Sequence, residues 1–355
     1  METRILKLDP ERFDPTQLDE AADCLRRGGL VAFPTETVYG IGVNLDSADS
    51  VRRLLEIRQS PAEKHITIHL GSREEVARHL RAPVPVAAQR LIRRFWPGPL
   101  TLVLPVEDRT VGVRFPDHRV AQELIRRSKA TVGAPSANLA TNPPAVDAEE
   151  VRRTFEGRIE FIVDAGPSRH RVASTVVRVE GRSVRVVREG AIPRALIDEA
   201  NAPTVLFVCT GNTCRSPMAE RLLRAMLAKT PGAESVRVLS AGTAAGLGIS
   251  ASGEAEIAVR EFGGQLQGHR SQPLSISMAE DADRIYVMTE GHRRVLEEWM
   301  PDVASRVALL DPEGGEIEDP IGGTLDTYRG TAKRIHGCLE KRWGEIVDLV
   351  RKEDR

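Results

Sequence analysis

The run Val205-Leu206-Phe207-Val208-Cys209, followed by Thr210-Gly211-Asn212-Thr213-Cys214-Arg215-Ser216-Pro217-Met218-Ala219-Glu220, constrains this chain more than any other stretch. A short apolar run meets a cysteine, then a polar turn with one glycine, then a helix start. In that geometry the backbone N–H groups of the loop converge with the helix N-terminus and form a seat for a phosphoryl group. Helix N-termini and neighbouring arginines favour the thiolate form of a cysteine, which makes Cys209 a candidate nucleophile. The planar fork of Arg215 can hold two phosphoryl oxygens, and Ser216 can hydrogen-bond the sulfur as it leaves. The alternative is that Cys209 is a small buried hydrophobe ending a core strand.

Phosphate transfer also needs an acid for the leaving group. Asp319, in Glu316-Ile317-Glu318-Asp319-Pro320-Ile321-Gly322-Gly323, lies on a turn that can swing over the first loop, and a plain surface turn is the other reading. These two pieces, roughly 110 residues apart, resemble the low-molecular-weight protein tyrosine phosphatase family from about Thr204 onward. The resemblance implies that Cys209 forms a phosphocysteine, that Arg215 binds substrate and transition state, and that Asp319 acts as acid and then base. Thr210, Gly211, Asn212, Thr213, Cys214 and Ser216 would form the phosphate loop, with Ser240 supporting it. Tyrosine-specific members carry an aliphatic residue where Thr213 stands and an aromatic where Ile321 stands. Thr213 resembles instead the branch that removes phosphate from arginine, so phosphoarginine is expected over phosphotyrosine. Cys214 is expected either to pair reversibly with Cys209 or to pack the loop. No metal or cofactor is expected for this chemistry. His269 and His292, without companion ligands nearby, read as surface or packing histidines.

At 355 residues the chain is too long for one ordinary core, which suggests two domains. Its four cysteines show neither metal spacing nor a disulfide framework, so a reducing cytoplasm is expected. With 50 basic and 51 acidic side chains there is no overall basic field to argue for DNA. No stretch approaches the roughly 18 apolar residues of a membrane span, and the start lacks a leader pattern, so no membrane association is expected.

Toward the N-terminus, Asp14-Pro15 caps a helix whose apolar residues Leu18, Ala21, Ala22 and Leu25 recur at helical spacing. Leu30-Val31-Ala32-Phe33 reads as a buried strand. It feeds Pro34-Thr35-Glu36-Thr37-Val38-Tyr39-Gly40, a hydroxyl-rich loop of the kind that binds ligands at the end of a sheet strand. An amphipathic helix from Ser47 to Arg58 follows, and short strands then alternate with helices, which predicts an α/β fold with a mixed sheet. The expected boundaries are residues 1–192 for the first domain, 193–203 for a linker bearing Pro193, Pro203 and a short helical run from Arg194 to Glu199, and 204–355 for the second. Regular alternation after the linker predicts a small doubly wound parallel sheet, flavodoxin-like in order.

That hydroxyl-rich loop, together with Trp96-Pro97-Gly98-Pro99-Leu100-Thr101, Arg114-Phe115-Pro116-Asp117, Ser136-Ala137-Asn138 and Ser174-Thr175-Val176, resembles the YrdC-like threonylcarbamoyl-AMP synthase family. The resemblance implies condensation of L-threonine, bicarbonate and ATP with release of pyrophosphate, in a mixed twisted sheet. The product is passed on to modify adenosine 37 of certain tRNAs, with tRNA-modification proteins as partners. Thr37, His69, Arg114 and Ser174 would contact threonine. Thr110, Ser136, Asn138 and Arg188 would lie along ATP, Lys64 near its phosphates, and Mg²⁺ on the triphosphate. One departure matters: where the family has Lys-x-Arg-Pro for the triphosphate, this chain has Arg58-Gln59-Ser60-Pro61. Losing one charge-assisted phosphate contact costs about 1.5–3 kcal/mol. An active synthase and a non-catalytic nucleotide- or RNA-binding module therefore both stand as readings of this domain.

Overall fold

The computed structural model describes residues 2–61, 65–80, 83–107, 109–181, 183–233 and 235–350. The chain divides into two compact units, Met1–Asn201 and Ala202–Arg355.

The first unit carries ten strands: β1 Arg4–Lys7, β2 Val31–Phe33, β3 Gly40–Asn44, β4 Ile68–His69, β5 Leu100–Val106, β6 Arg109–Arg114, β7 Val132–Gly133, β8 Phe161–Asp164, β9 Thr175–Glu180 and β10 Ser183–Arg188. They form one mixed sheet in the order β1-β8-β2-β3-β7-β4-β6-β5-β9-β10. β2 runs parallel to β8 and antiparallel to β3, and β5 runs parallel to β9 and antiparallel to β6. The period-2 pattern decides which side chain goes where. Val31 and Phe33 point into a core with Leu18, Leu25 and Leu124, whereas Leu30 joins Leu54, Val151 and Phe155 on the other side. Asp14 caps as expected: its carboxylate accepts from Thr16 N and Gln17 returns a bond to its backbone, opening a 3₁₀ turn before the helix Asp19–Arg26.

The helical run expected within the linker is the helix Arg194–Asn201 at the end of the first unit, and its Ile197 is fully buried with Ile192 and Ile92. The prolines frame this helix rather than an open connection, because one apolar face is enough to seat it.

The second unit has four strands: β11 Thr204–Cys209, β12 Arg237–Gly242, β13 Arg284–Val287 and β14 Val307–Leu309. All pairings are parallel, in the order β12-β11-β13-β14. Chain direction across the sheet reverses between β11 and β13, the crevice where such sheets bind ligands. β11 is buried on both faces, with Val205 and Phe207 in one core and Leu206 and Val208 in the other. The unit ends in two helices, Leu325–Lys341 and Trp343–Val347. At the break, Arg342 is buried: its Nε donates to Leu310 O at 2.9 Å, its Nη2 to Leu309 O at 2.7 Å, and its guanidinium lies 4.8 Å from the Tyr286 ring centre. Those strand-end carbonyls need a donor, and a kinked helix delivers one.

Phe207 is fully buried and stacks on Tyr286 with ring centres 5.9 Å apart. Phe207→Ala should destabilise the second unit by about 3–5 kcal/mol, read as a lowered denaturant midpoint by circular dichroism.

Candidate active sites

β11 ends at Cys209, whose carbonyl accepts from Thr243 N at 2.9 Å while Thr210 O accepts from Ala244 N at 3.0 Å. These bonds lay the strand end against the turn after β12. A Cβ on Gly242 would stand 2.4 Å from Thr210 O, so the close approach requires glycine there. The loop then turns through Asn212, a non-glycine residue with φ of 52° in the left-handed region. Asn212 is fully buried, and its bonds hold that conformation. Its Nδ2 donates to Ser216 Oγ and to Ser240 Oγ, each at 2.9 Å, and its Oδ1 accepts from Gln272 N at 2.9 Å. His269 Nε2 lies 2.8 Å from its carbonyl oxygen, and its own N–H points at Cys209 Sγ from 3.3 Å. Ser216 Oγ sits 2.9 Å from the same sulfur, and Ser240 Oγ donates to Glu220 Oε2 at 2.6 Å.

The helix Arg215–Leu227 begins where the loop ends, and Arg215 is buried beside it. Its Nη1 donates to Ile317 O at 3.1 Å, and its Nη2 reaches Thr210 Oγ1 at 3.4 Å and Asp319 Oδ2. Its Nε is buried without a partner. The Asp319 side chain is 39% exposed, so the carboxylate covers the guanidinium from the solvent side. Cysteine, arginine and aspartate therefore meet at one loop.

Thr213 is half-buried, and Gly211 flanks it. Cys214 is buried and free, with Ser252 Oγ at 3.6 Å and Tyr328 Oη at 3.5 Å. Tyr328 lies over a hundred positions downstream, and no local signal marks it. The two histidines expected on the surface or in packing are both buried and bonded to the loop: His269 to Asn212 O, and His292 through Nε2 to Thr210 Oγ1 at 2.9 Å. His292 stands on the helix after β13, so only the strand order β11-β13 brings it to Thr210.

In the first unit a cavity of about 340 Å³ opens over the sheet. Arg58, His69, Thr110, Arg114, Ser136, Ser174 and Arg188 line it, although they come from six separate places along the chain, Thr110 and Arg114 sharing β6. Three guanidinium groups and no carboxylate among the described lining residues make it a site for anions. Arg188 Nη2 donates to Ser174 O at 2.8 Å, and Thr101 Oγ1 lies 2.9 Å from Ser174 Oγ. Burial, and then Arg114, push the Arg188 guanidinium down from its ordinary value.

Arg114 is held from behind. Its Nη2 donates to Glu36 Oε1 and to Thr37 Oγ1, each at 2.8 Å, with the Glu36 side chain 1% exposed. Arg114 Nε and Glu36 Oε2 are both buried without partners. Thr37 is thus fully buried beneath the cavity as a partner of Arg114, and Glu36, which the sequence showed only as one carboxylate in a polar loop, is its counter-ion. Asn138 is not among the lining residues but holds Ser136, which is: its Oδ1 accepts from Ser136 Oγ at 2.5 Å, and its Nδ2 donates to Leu139 O and Asn142 O at 2.7 Å each. Arg58 donates through Nε to Asn138 O at 3.2 Å and through Nη1 to Ser60 Oγ at 3.3 Å. Ser60 itself lines a separate cavity, beside the helix Ala48–Ile57, so its expected place along ATP is replaced by a bond to Arg58. Lys64 lies outside the described residues.

Among the described residues no cluster of three or more His, Cys, Asp or Glu could hold a metal ion. The donor set does not fit a protein-held Mg²⁺, which prefers carboxylates and phosphates. No described helix is long and apolar enough to cross a membrane.

Residues 23–190 match the family model Sua5–YciO–YrdC, described as telomere recombination, and residues 204–354 match that of low-molecular-weight phosphotyrosine protein phosphatase. A putative threonylcarbamoyl-AMP synthase of Mycobacterium tuberculosis is 34% identical over 200 residues, which are 52% of this chain and 91% of that protein. The chain belongs to the Sua5–YciO–YrdC family, fused to a low-molecular-weight phosphatase domain. The threonylcarbamoyl-AMP synthase of Pyrococcus abyssi is 39% identical over 199 residues, 53% of this chain and 58% of that protein. The chain thus spans somewhat over half the length of such longer relatives. The structure of a YwlE arginine phosphatase from Geobacillus stearothermophilus is 33% identical, covering 42% of this chain and 99% of that one, with a TM-score of 0.38.

Two buried imidazoles, one at each site, are held below their ordinary range. Burial first, and then Arg114, hold His69 down to about 3; burial first, and then Arg215, hold His292 down to about 4. The unfolded chain takes up these protons near pH 6.5, while the folded chain does not. Their contribution to stability is therefore complete above about pH 6.5 and is lost as the pH falls toward 4. Denaturant midpoints measured between pH 7.5 and 4.5 should fall for the wild type and fall less steeply for His69→Gln and His292→Gln.

Proposed function

We propose that the first unit condenses L-threonine, bicarbonate and ATP into threonylcarbamoyl-AMP and releases pyrophosphate, for use in tRNA modification together with partner proteins. The observation that carries this reading is the carboxylate-free cleft with three arginines, in a chain whose relatives bear that name. Threonine's carboxylate would pair with Arg114, its nearest supports being Thr37, His69 and Ser174. The amine attacks bicarbonate and water leaves, giving a carbamate. The carbamate oxygen then attacks the α-phosphorus, and the bond to pyrophosphate breaks. Arg58 and Arg188 stabilise the phosphates, and Thr110, Ser136 and Asn138 shape the nucleotide's wall. Mg²⁺ would arrive on the nucleotide. Ser60 takes no cation's place in this scheme, since its hydroxyl supports Arg58.

For the second unit we propose a cysteine-dependent phosphatase acting on phosphorylated protein, with phosphoarginine preferred over phosphotyrosine. Cys209 Sγ attacks phosphorus, the bond to the leaving nitrogen or oxygen breaks, and Asp319 supplies the leaving atom's proton. Water then attacks the phosphocysteine as Asp319 takes its proton, and sulfur departs as thiolate toward Ser216. Phosphoryl oxygens would replace Asp319 as partners of Arg215, which frees the carboxyl group for proton transfer. The half-buried Thr213 supports the arginine preference, because a hydroxyl there leaves room for, and can bond, a guanidinium.

Pyrophosphate release by the full chain should require ATP, threonine and bicarbonate together, and Arg114→Ala should raise the threonine KM about tenfold or more. Release that is indifferent to threonine would leave the first unit a binding module. Cys209→Ser should abolish dephosphorylation. Thr213→Ile should shift kcat/KM from phosphoarginine toward phosphotyrosine peptides, and a wild type that cleaves only phosphotyrosine would overturn the preference.

A further inference from the structure

Thr210 follows the cysteine directly, and its hydroxyl sits in a chain of hydrogen bonds that runs from Arg215 to a helix cap. Arg215 Nη2 reaches Thr210 Oγ1 at 3.4 Å, Thr210 Oγ1 lies 2.9 Å from His292 Nε2, and His292 Nδ1 lies 2.7 Å from Thr289 Oγ1. A guanidinium only donates, so Thr210 accepts from Arg215 and has its own proton to give to His292. In that arrangement Nε2 is an acceptor, and the ring proton sits on Nδ1, donated to Thr289. Thr289 Oγ1 also accepts from the backbone N–H of His292 at 3.3 Å, which fits its role as N-cap. Every bond then runs in one direction, and the imidazole is neutral. Arg215, Asp319 and Glu316 are the charged groups that act on His292.

We propose that His292 is a positioning residue for the phosphatase site: as an Nδ1–H imidazole it turns a Thr210 lone pair toward Arg215 and sets the angle of the guanidinium over the loop. This rests on the phosphatase reading above. Arg215 has three protein anchors, Ile317 O, Asp319 and Thr210. Once a phosphoryl group displaces Asp319, Ile317 O and Thr210 alone hold it. A Thr210 hydroxyl released from His292 can turn its proton toward the guanidinium and lose that anchor when the transition state forms.

The test uses the full chain and p-nitrophenyl phosphate, with Cys209→Ser as the blank. His292→Ala should lower kcat about tenfold with KM changed less than about threefold, the pattern of an interaction made in the transition state. His292→Asn, whose amide can accept from Thr210 and donate to Thr289, should recover most of that loss. Thr210→Val, which cuts the chain at its exposed end should His292→Ala fail to fold, should cost as much, and the double variant no more than either single one. Independently of turnover, ¹⁵N-histidine NMR at pH 7 should show a neutral Nδ1–H imidazole that vanishes in His292→Asn. Wild-type kcat in His292→Ala, additive losses in the double variant, or an Nε2–H tautomer would each overturn the proposal. Hydrolysis no faster than the Cys209→Ser blank would sink the phosphatase reading itself, while the tautomer would still decide the hydrogen-bond chain.

Discussion

The phosphate loop depends on one buried asparagine held in a left-handed backbone conformation. Asn212 accepts and donates through its amide, its carbonyl and its N–H, to Ser216, Ser240, Gln272, His269 and the sulfur of Cys209. Each of these groups is shielded from water, and leaving one unmade costs about 1–3 kcal/mol. The network therefore over-determines a turn that L-residues otherwise avoid. With the turn fixed, the Asn212 N–H points at the Cys209 sulfur, and the helix start and Arg215 stand beside the same loop.

The first unit solves a different problem, that of keeping a guanidinium under a cleft. A buried charge is tolerated only when it is paired and hydrogen-bonded. Glu36, Thr35 and Thr37 surround Arg114 Nη2, so one short loop supplies the counter-ion and both hydroxyls. Glu36 neutralises Arg114 without lining the cavity, and no carboxylate stands among the described lining residues. Burial first, and then Arg114, hold the His69 imidazole in the same cavity down to about 3.

Much of this was legible locally. β11, its loop and the helix start occupy consecutive residues, and the strand periodicity of Leu30 to Phe33 divides correctly between two cores. The cleft residues Arg58, Arg114, Ser136, Ser174 and Arg188 could be assembled from separate motifs. What stayed hidden were partners set by long-range packing. His292 reaches Thr210 only because β13 lies beside β11, and Ser60 turns to Arg58 rather than into the cleft. The helical run from Arg194 was legible between its prolines, yet the burial of Ile197 depends on a surface that no local pattern reveals.

By itself the sequence determined the order of strands and helices, the position of the cysteine at a strand end and the arginine at a helix start, and the two-unit division. These follow from periodicity, turn chemistry and spacing, which act over a few residues. Tertiary structure alone decided which charges are paired, which hydroxyls line a cavity and which groups meet along Thr289, His292 and Thr210. Those properties belong to buried groups brought together from distant positions, and burial is a property of the fold rather than of any segment.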